Sequence, residues 1–170
     1  EAQKQELEEA NQRLEQLTLT ESLTEIANRR GFEARLDIEL RRASRGGSSL
    51  ALVLFDVDWF KQYNDAHGHA RGDYCLREIA RVATETFPRD GDQVARFGGD
   101  EFAVLLPECD MRGGRLAAER LRVSLAAAAL SHPDSPAGRV TLSMGLAVFQ
   151  PKEAKRDSPR PPEQVREAIE

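Results

Sequence analysis

Three patterns in the 170-residue sequence predict an α+β fold: stripes of apolar residues at helical spacing, an unbroken apolar run at residues 50–55, and two short apolar runs split by a glycine pair. At roughly 100–200 residues per domain, the length allows one domain with a short appendage. A hydrophobic content of 40% suffices for a core.

The elements follow in order. In residues 1–20, Leu7, Ala10, Leu14 and Leu17 recur at alternating spacings of three and four amid Glu, Gln, Lys and Arg. An ordinary amphipathic helix gives the same pattern, but the polar remainder leaves the stripe little to pack on except a second helix, so a short coiled coil is expected. Phe32, Leu36, Leu40 and Ala43 share the face of a helix that ends at Gly46-Gly47-Ser48-Ser49. The run at 50–55, bounded by turn residues before and acids after, fits a buried strand.

Leu76, Ile79, Ala80, Ala83 and Phe87 mark a second helix, stopped by Pro88. Residues 94–97 and 101–106 flank Gly98-Gly99 as a tight hairpin. Leu116, Ala117, Leu121, Leu125 and Ala128 make a further helix, and the alternation of Val140, Leu142, Met144, Leu146 and Val148 makes a last strand with two distinct faces. This order predicts a ferredoxin-like β-α-β-β-α-β core, preceded by a helix, with its helices on one face of a mainly antiparallel sheet. Three prolines within 156–162 indicate an exposed loop, and 163–170 can begin one more helix.

Composition excludes several classes. With 24 Lys and Arg against 29 Asp and Glu, the net charge of −5 disfavours broad attraction to nucleic acid or to an anionic membrane. Cys75 and Cys109 stand far apart without zinc-like spacing, which disfavours a disulfide framework and suits a reducing compartment. No apolar stretch approaches the ~20 residues of a membrane helix, and the N-terminus does not read as a signal peptide. The expectation is a cytoplasmic protein, or the cytoplasmic part of a larger sensor.

Acidic residues gather where strands should end: Asp56 and Asp58 after the first strand, Asp73 before the second helix, and Asp100 with Glu101 at the hairpin. In the ferredoxin-like order the first strand and the hairpin are neighbours, so Asp56 and Asp100 should face each other across one sheet edge. Carboxylates at that range repel unless a cation lies between them. Hard oxygen ligands without His or Cys support favour magnesium, with manganese as the substitute. His67-Gly68-His69 suggests zinc by its spacing, but no third soft ligand is near and it is read as a turn.

Taken together, four blocks resemble the GGDEF domain family, whose members are diguanylate cyclases. They are Ser22-Leu23-Thr24 running to Asn28-Arg29-Arg30-Gly31-Phe32; residues 55–65, beginning Phe55-Asp56-Val57-Asp58; Gly68-His69-Ala70-Arg71-Gly72-Asp73; and Arg96-Phe97-Gly98-Gly99-Asp100-Glu101-Phe102. The resemblance covers about residues 20–149 and implies a fold like that of nucleotidyl cyclase catalytic domains. It also implies a reaction in which two GTP molecules condense to cyclic di-GMP with release of two pyrophosphates.

On that resemblance, Asp56, the Val57 carbonyl and Asp100 hold the metal, and Glu101 assists removal of the 3′-hydroxyl proton. Asn64 and Asp73 bind the guanine edge, Lys61 lies on the phosphates, His69 shapes the pocket wall, and Gly98 and Gly99 bring the backbone close to the triphosphate. Arg89 and Asp92 of Arg89-Asp90-Gly91-Asp92 fit the family's Arg-x-x-Asp motif for feedback by bound cyclic di-GMP.

Each domain binds one GTP, so the resemblance implies a homodimer, with residues 1–20 as a transmitter helix from an upstream sensor and 21–170 as the cyclase domain. Glu25 stands where the family often has Gly. The family normally continues with a helix bearing an Ala-Leu-Tyr-x-Ala-Lys type motif, then Gly-Arg-Asn and a last strand, and none of these motifs appears before Glu170. A catalytically silent module that binds GTP or cyclic di-GMP is the competing expectation, and a different nucleotidyl cyclase or polymerase palm is another.

Overall fold

The computed structural model describes residues 18–151. The heptad positions Leu7, Ala10, Leu14 and Leu17, and the loop and helix expected at 156–170, lie outside the described residues. In chain order the elements are α1 (Arg29–Gly46), β1 (Leu50–Val57), α2 (Phe60–His67), α3 (His69–Thr86), β2 (Gln93–Gly98), β3 (Glu101–Pro107), α4 (Met111–Ala128) and β4 (Leu142–Phe149). The strands form one sheet in the order β2-β3-β1-β4, and every neighbouring pair is antiparallel. This is the ferredoxin-like order expected from the sequence.

The helix boundaries have local causes. Asn28 caps α1, its side-chain oxygen accepting from the Gly31 N–H at 2.8 Å, and Asp110 caps α4 in the same way through the Gly113 N–H at 2.8 Å. At the other end of the second helical stripe, α3 stops one residue before Phe87-Pro88.

β1 is apolar throughout because both of its faces are covered. Ala51, Val53, Phe55 and Val57 enter a core with Cys75, Leu76, Ile79 and Ala83 of α3 and Leu121 and Leu125 of α4. Leu50 and Leu52 point the other way, into a second core with Phe32, Leu36, Leu40 and Ala43 of α1. The expected placement of the helices on one face therefore holds for α3 and α4 but not for α1, which covers the opposite face. A single-faced strand would alternate; this one has no polar position before Asp56 because neither side meets water. Phe55 lies directly opposite Phe102 on β3, their rings stacked at 5.1 Å.

Two further elements differ from expectation. The stretch between β1 and the Leu76 stripe, where periodicity indicates no element, holds the short helix α2 and the first turns of α3, broken at Gly68. Its apolar residues are too few to give a helical stripe. Val140 is buried but precedes β4, its N–H donating to the Leu130 carbonyl at 2.9 Å to close the loop before the strand.

Candidate active site

The sheet brings the acidic strand ends together by register alone. Asp56 pairs across the ladder with Glu101 on β3 and with Ser143 on β4, and Asp100 sits in the turn immediately before Glu101. Burial, and then the charges of Asp100, Asp58 and Glu101, push the Asp56 carboxyl above its ordinary value. Asp58 has a different task from its neighbours. Its carboxylate accepts from the hydroxyls of Thr141 at 2.6 Å and Ser143 at 2.5 Å, and its N–H donates to the Thr141 carbonyl at 3.0 Å, so it clips the end of β1 to β4.

The donor set fits a hard divalent cation. Asp56 and Asp100 could supply carboxylate oxygens, and Val57, the last residue of β1, a carbonyl. Among the described residues no three His, Cys, Asp or Glu side chains group closely enough to hold a metal by themselves. That suits magnesium, which takes one or two carboxylates and fills its shell with water and phosphate oxygens. His67 is the last residue of α2 and His69 the first of α3, with Gly68 alone between the two helices.

The hairpin turn is held by residues whose role the sequence did not reveal. Gly98 and Gly99 have φ of 127° and 53°, and a Cβ at either would meet nothing within 4 Å, so the backbone conformation rather than crowding requires glycine. Arg96, only 9% exposed, donates through Nε and Nη2 to the Gly99 carbonyl at 3.0 and 2.8 Å and through Nη1 to Glu21 at 2.7 Å. Burial alone pushes the Glu21 carboxyl up. The Thr24 hydroxyl, the N–H groups of Leu23 and Thr24 and the Arg96 guanidinium outweigh it, and hold the carboxyl below its ordinary value. Glu21 and Arg96 are 75 residues apart, and no local spacing announces the pair.

The expected base-binding residues lie on α2 and on the first turns of α3, neither of which periodicity reveals. Lys61 is exposed in the first turn of α2, one helical turn before Asn64. Asn64 Oδ1 is buried and has no hydrogen-bond partner. Gly72, on α3, faces it so closely that a Cβ there would fall on Asn64 Oδ1. Asp73 follows Gly72, half-buried, and His69 stands exposed at the start of the same helix. Gly72 therefore leaves the space that the Asn64 amide occupies.

At the opposite end of β2, Arg89 and Asp92 form a turn closed by the Asp92 N–H donating to the Arg89 carbonyl at 2.9 Å. Burial pushes the Asp92 carboxyl up, against the opposing pull of Arg89 and Arg120, and its Oδ1 is buried without a partner. Arg89 and Arg120 both line an open groove of about 1050 Å³ between the end of α3 and α4, together with Ser48, Cys109 and Glu119. Arg120 was not legible as a site residue. It lies within an α4 sequence rich in arginine, and only the packing of α4 selects it.

The fold thus gathers carboxylates at one sheet edge and holds, on the helix that follows β1, an Asn64 side-chain oxygen without a hydrogen-bond partner. The family described as "Diguanylate cyclase, GGDEF domain" matches residues 18–160, and the chain belongs to that family. It is 40% identical over 139 residues to the diguanylate cyclase DgcP of Pseudomonas aeruginosa, covering 82% of this chain and 20% of that protein. It is 39% identical over 109 residues to the response regulator PleD of Caulobacter vibrioides, covering 64% of this chain and 24% of that one.

The crystal structure of the coiled coil and GGDEF domain of DgcB from Caulobacter crescentus, in complex with c-di-GMP, is 30% identical with a TM-score of 0.71, covering 88% of this chain and 79% of that one. The chain spans at most about a quarter of these two curated relatives' lengths.

Proposed function

We propose that this chain is a magnesium-dependent diguanylate cyclase that condenses two GTP molecules into cyclic di-GMP and two pyrophosphates. The observation that supports the reading is the gathering of acids at the sheet edge: Asp56 lies opposite Glu101 in the ladder, and it is destabilised as a carboxylate by burial and then by the charges of Asp100, Asp58 and Glu101.

In this reading Asp56, Asp100 and the Val57 carbonyl hold the metal. When bound, the metal supplies charge stabilisation to the attacking and leaving oxygens of an in-line displacement at the α-phosphate. Glu101, beside Asp100 at the start of β3, accepts the 3′-hydroxyl proton. Lys61 offsets charge on the phosphates, and the unpartnered Asn64 Oδ1 accepts from the guanine edge while Asp73 accepts from its donors. His69 forms the wall of that pocket. The left-handed turn at Gly98 and Gly99 lets the backbone approach the triphosphate.

One domain presents one such site, so the two-substrate reaction needs two domains face to face. The heptads at residues 1–20 and the coiled coil present in the DgcB structure support a homodimer that receives its signal from an upstream sensor, as the response regulator relative also suggests. GTP as substrate places the domain in the cytoplasm, and no helix among the described residues is long and apolar enough to cross a membrane. Arg89, Asp92 and Arg120 bind the product: guanidinium groups take the phosphates or stack on guanine, and the Asp92 carboxylate accepts from a guanine edge.

The test is incubation with GTP and magnesium followed by chromatographic identification of the product, on this chain and on a form extended at its C-terminus. Cyclic di-GMP establishes the cyclase. GTP binding and dimer formation with no product from either form would leave a regulatory module instead.

A further inference from the structure

His132 is the most deeply buried polar side chain in the described structure that the mechanism above does not use: it is 1% exposed, in the loop between α4 and β4. Its Nε2 lies 3.1 Å from the Trp59 carbonyl oxygen, which can only accept, so Nε2 donates to it, and Nδ1 is buried without a hydrogen-bond partner. Trp59 is no ordinary partner. It caps α2 with φ of 59° and ψ of 27°, a left-handed conformation that a bulky side chain rarely adopts and that its surroundings must hold. The Trp59 carbonyl also accepts the Tyr63 N–H at 3.0 Å, the first hydrogen bond of α2, and the Tyr63 ring meets the His132 ring edge-on at 5.1 Å.

The loop that carries His132 is itself tied. The Ser135 hydroxyl lies 3.0 Å from the His132 carbonyl and 2.9 Å from the Arg139 carbonyl, and the His132 N–H donates to the Gly138 carbonyl at 3.2 Å. Two residues past Arg139, Thr141 holds Asp58.

We propose that His132 is a positioning residue for GTP binding. From the far side of the protein chain it fixes the Trp59 turn, and so sets where α2 points Lys61 and Asn64 relative to the acids at the end of β1. The inference rests on the cyclase reading for what those two residues bind, but the coupling of the loop to the turn stands on its own contacts.

The experiment compares His132→Phe, which fills the space without a donor, with His132→Gln, whose amide N–H can reach the Trp59 carbonyl, in the full chain. Trp59 is the single tryptophan, so its emission reports the turn directly. The Phe variant is expected to keep its fold by circular dichroism, to shift Trp59 emission, and to raise KM for GTP on the order of tenfold with a smaller change in kcat. The Gln variant should restore most of both. A folded Phe variant with wild-type emission and KM overturns the proposal, as does equal impairment of the Phe and Gln variants. A wild-type chain that makes no cyclic di-GMP overturns the cyclase reading alone, because Trp59 emission and magnesium-GTP affinity still compare wild type with the variants.

Discussion

The two ends of β2 carry opposite chemistry on one short strand. At its C-terminal end Asp56, Asp100 and Glu101 crowd like charges together, and the turn is held from behind by Arg96 and Glu21. At its N-terminal end Arg89 and Arg120 share a groove with a partly buried Asp92 between their fields. Six residues at ~3.3 Å each separate the two ends by about 20 Å. In the proposed reading a cation completes the acidic end and an anion the basic end, so one fold would keep the substrate and product sites apart.

The largest expected effect breaks the acidic end. Asp100→Ala should lower cyclic di-GMP formation on the order of 10³-fold or more, with the circular dichroism spectrum unchanged; activity at the wild-type level removes Asp100 from the metal site. Arg96→Ala removes the brace rather than the chemistry. It leaves Glu21 without its charge partner in a mostly buried setting and frees the Gly99 carbonyl, which should cost about 3 kcal/mol and roughly 10 °C in Tm by calorimetry. A melting curve superimposable on wild type would show that the hairpin turn holds itself.

Smaller effects sharpen the contrast. Gly72→Ala should push Asn64 aside and raise KM for GTP by about tenfold while Tm moves little; a change confined to Tm would make Gly72 a packing residue only. At the basic end, Arg89→Ala should raise the concentration of cyclic di-GMP needed for half-inhibition by about tenfold or more, since a charge-assisted contact is lost. An unaltered inhibition curve would remove the groove from feedback.

The smallest expected effect concerns stability. The Asp56 carboxyl is raised in the folded state, so its ionisation opposes folding: the penalty is absent below the ordinary carboxylate range and grows as pH rises through it. Asp56→Asn should therefore raise Tm at pH 7 without divalent ions, relieve the loss of stability between acid and neutral pH, and abolish any gain in Tm from magnesium.

Local pattern made much of this molecule legible, because helices and strands write their periods and caps into short windows. The stripe at Phe32, Leu36, Leu40 and Ala43, the run at 50–55 and the Gly98-Gly99 hairpin each lie within one element. The acids at strand ends then followed from strand order, since antiparallel register sets Asp56 beside Glu101 without further instruction.

What the sequence by itself determined was the order of the strands and of the three longer helices, the family, and the residue types proposed to hold metal and base. Tertiary structure alone decided which face α1 covers, that residues 60–67 are helical, that Arg96 braces the turn through Glu21, that Arg120 among several arginines joins Arg89, and that His132 reaches Trp59 from 73 residues away. The physical reason is the same in each case. A contact between distant residues is fixed by the packing of whole elements, and neither partner's local neighbours carry any record of it.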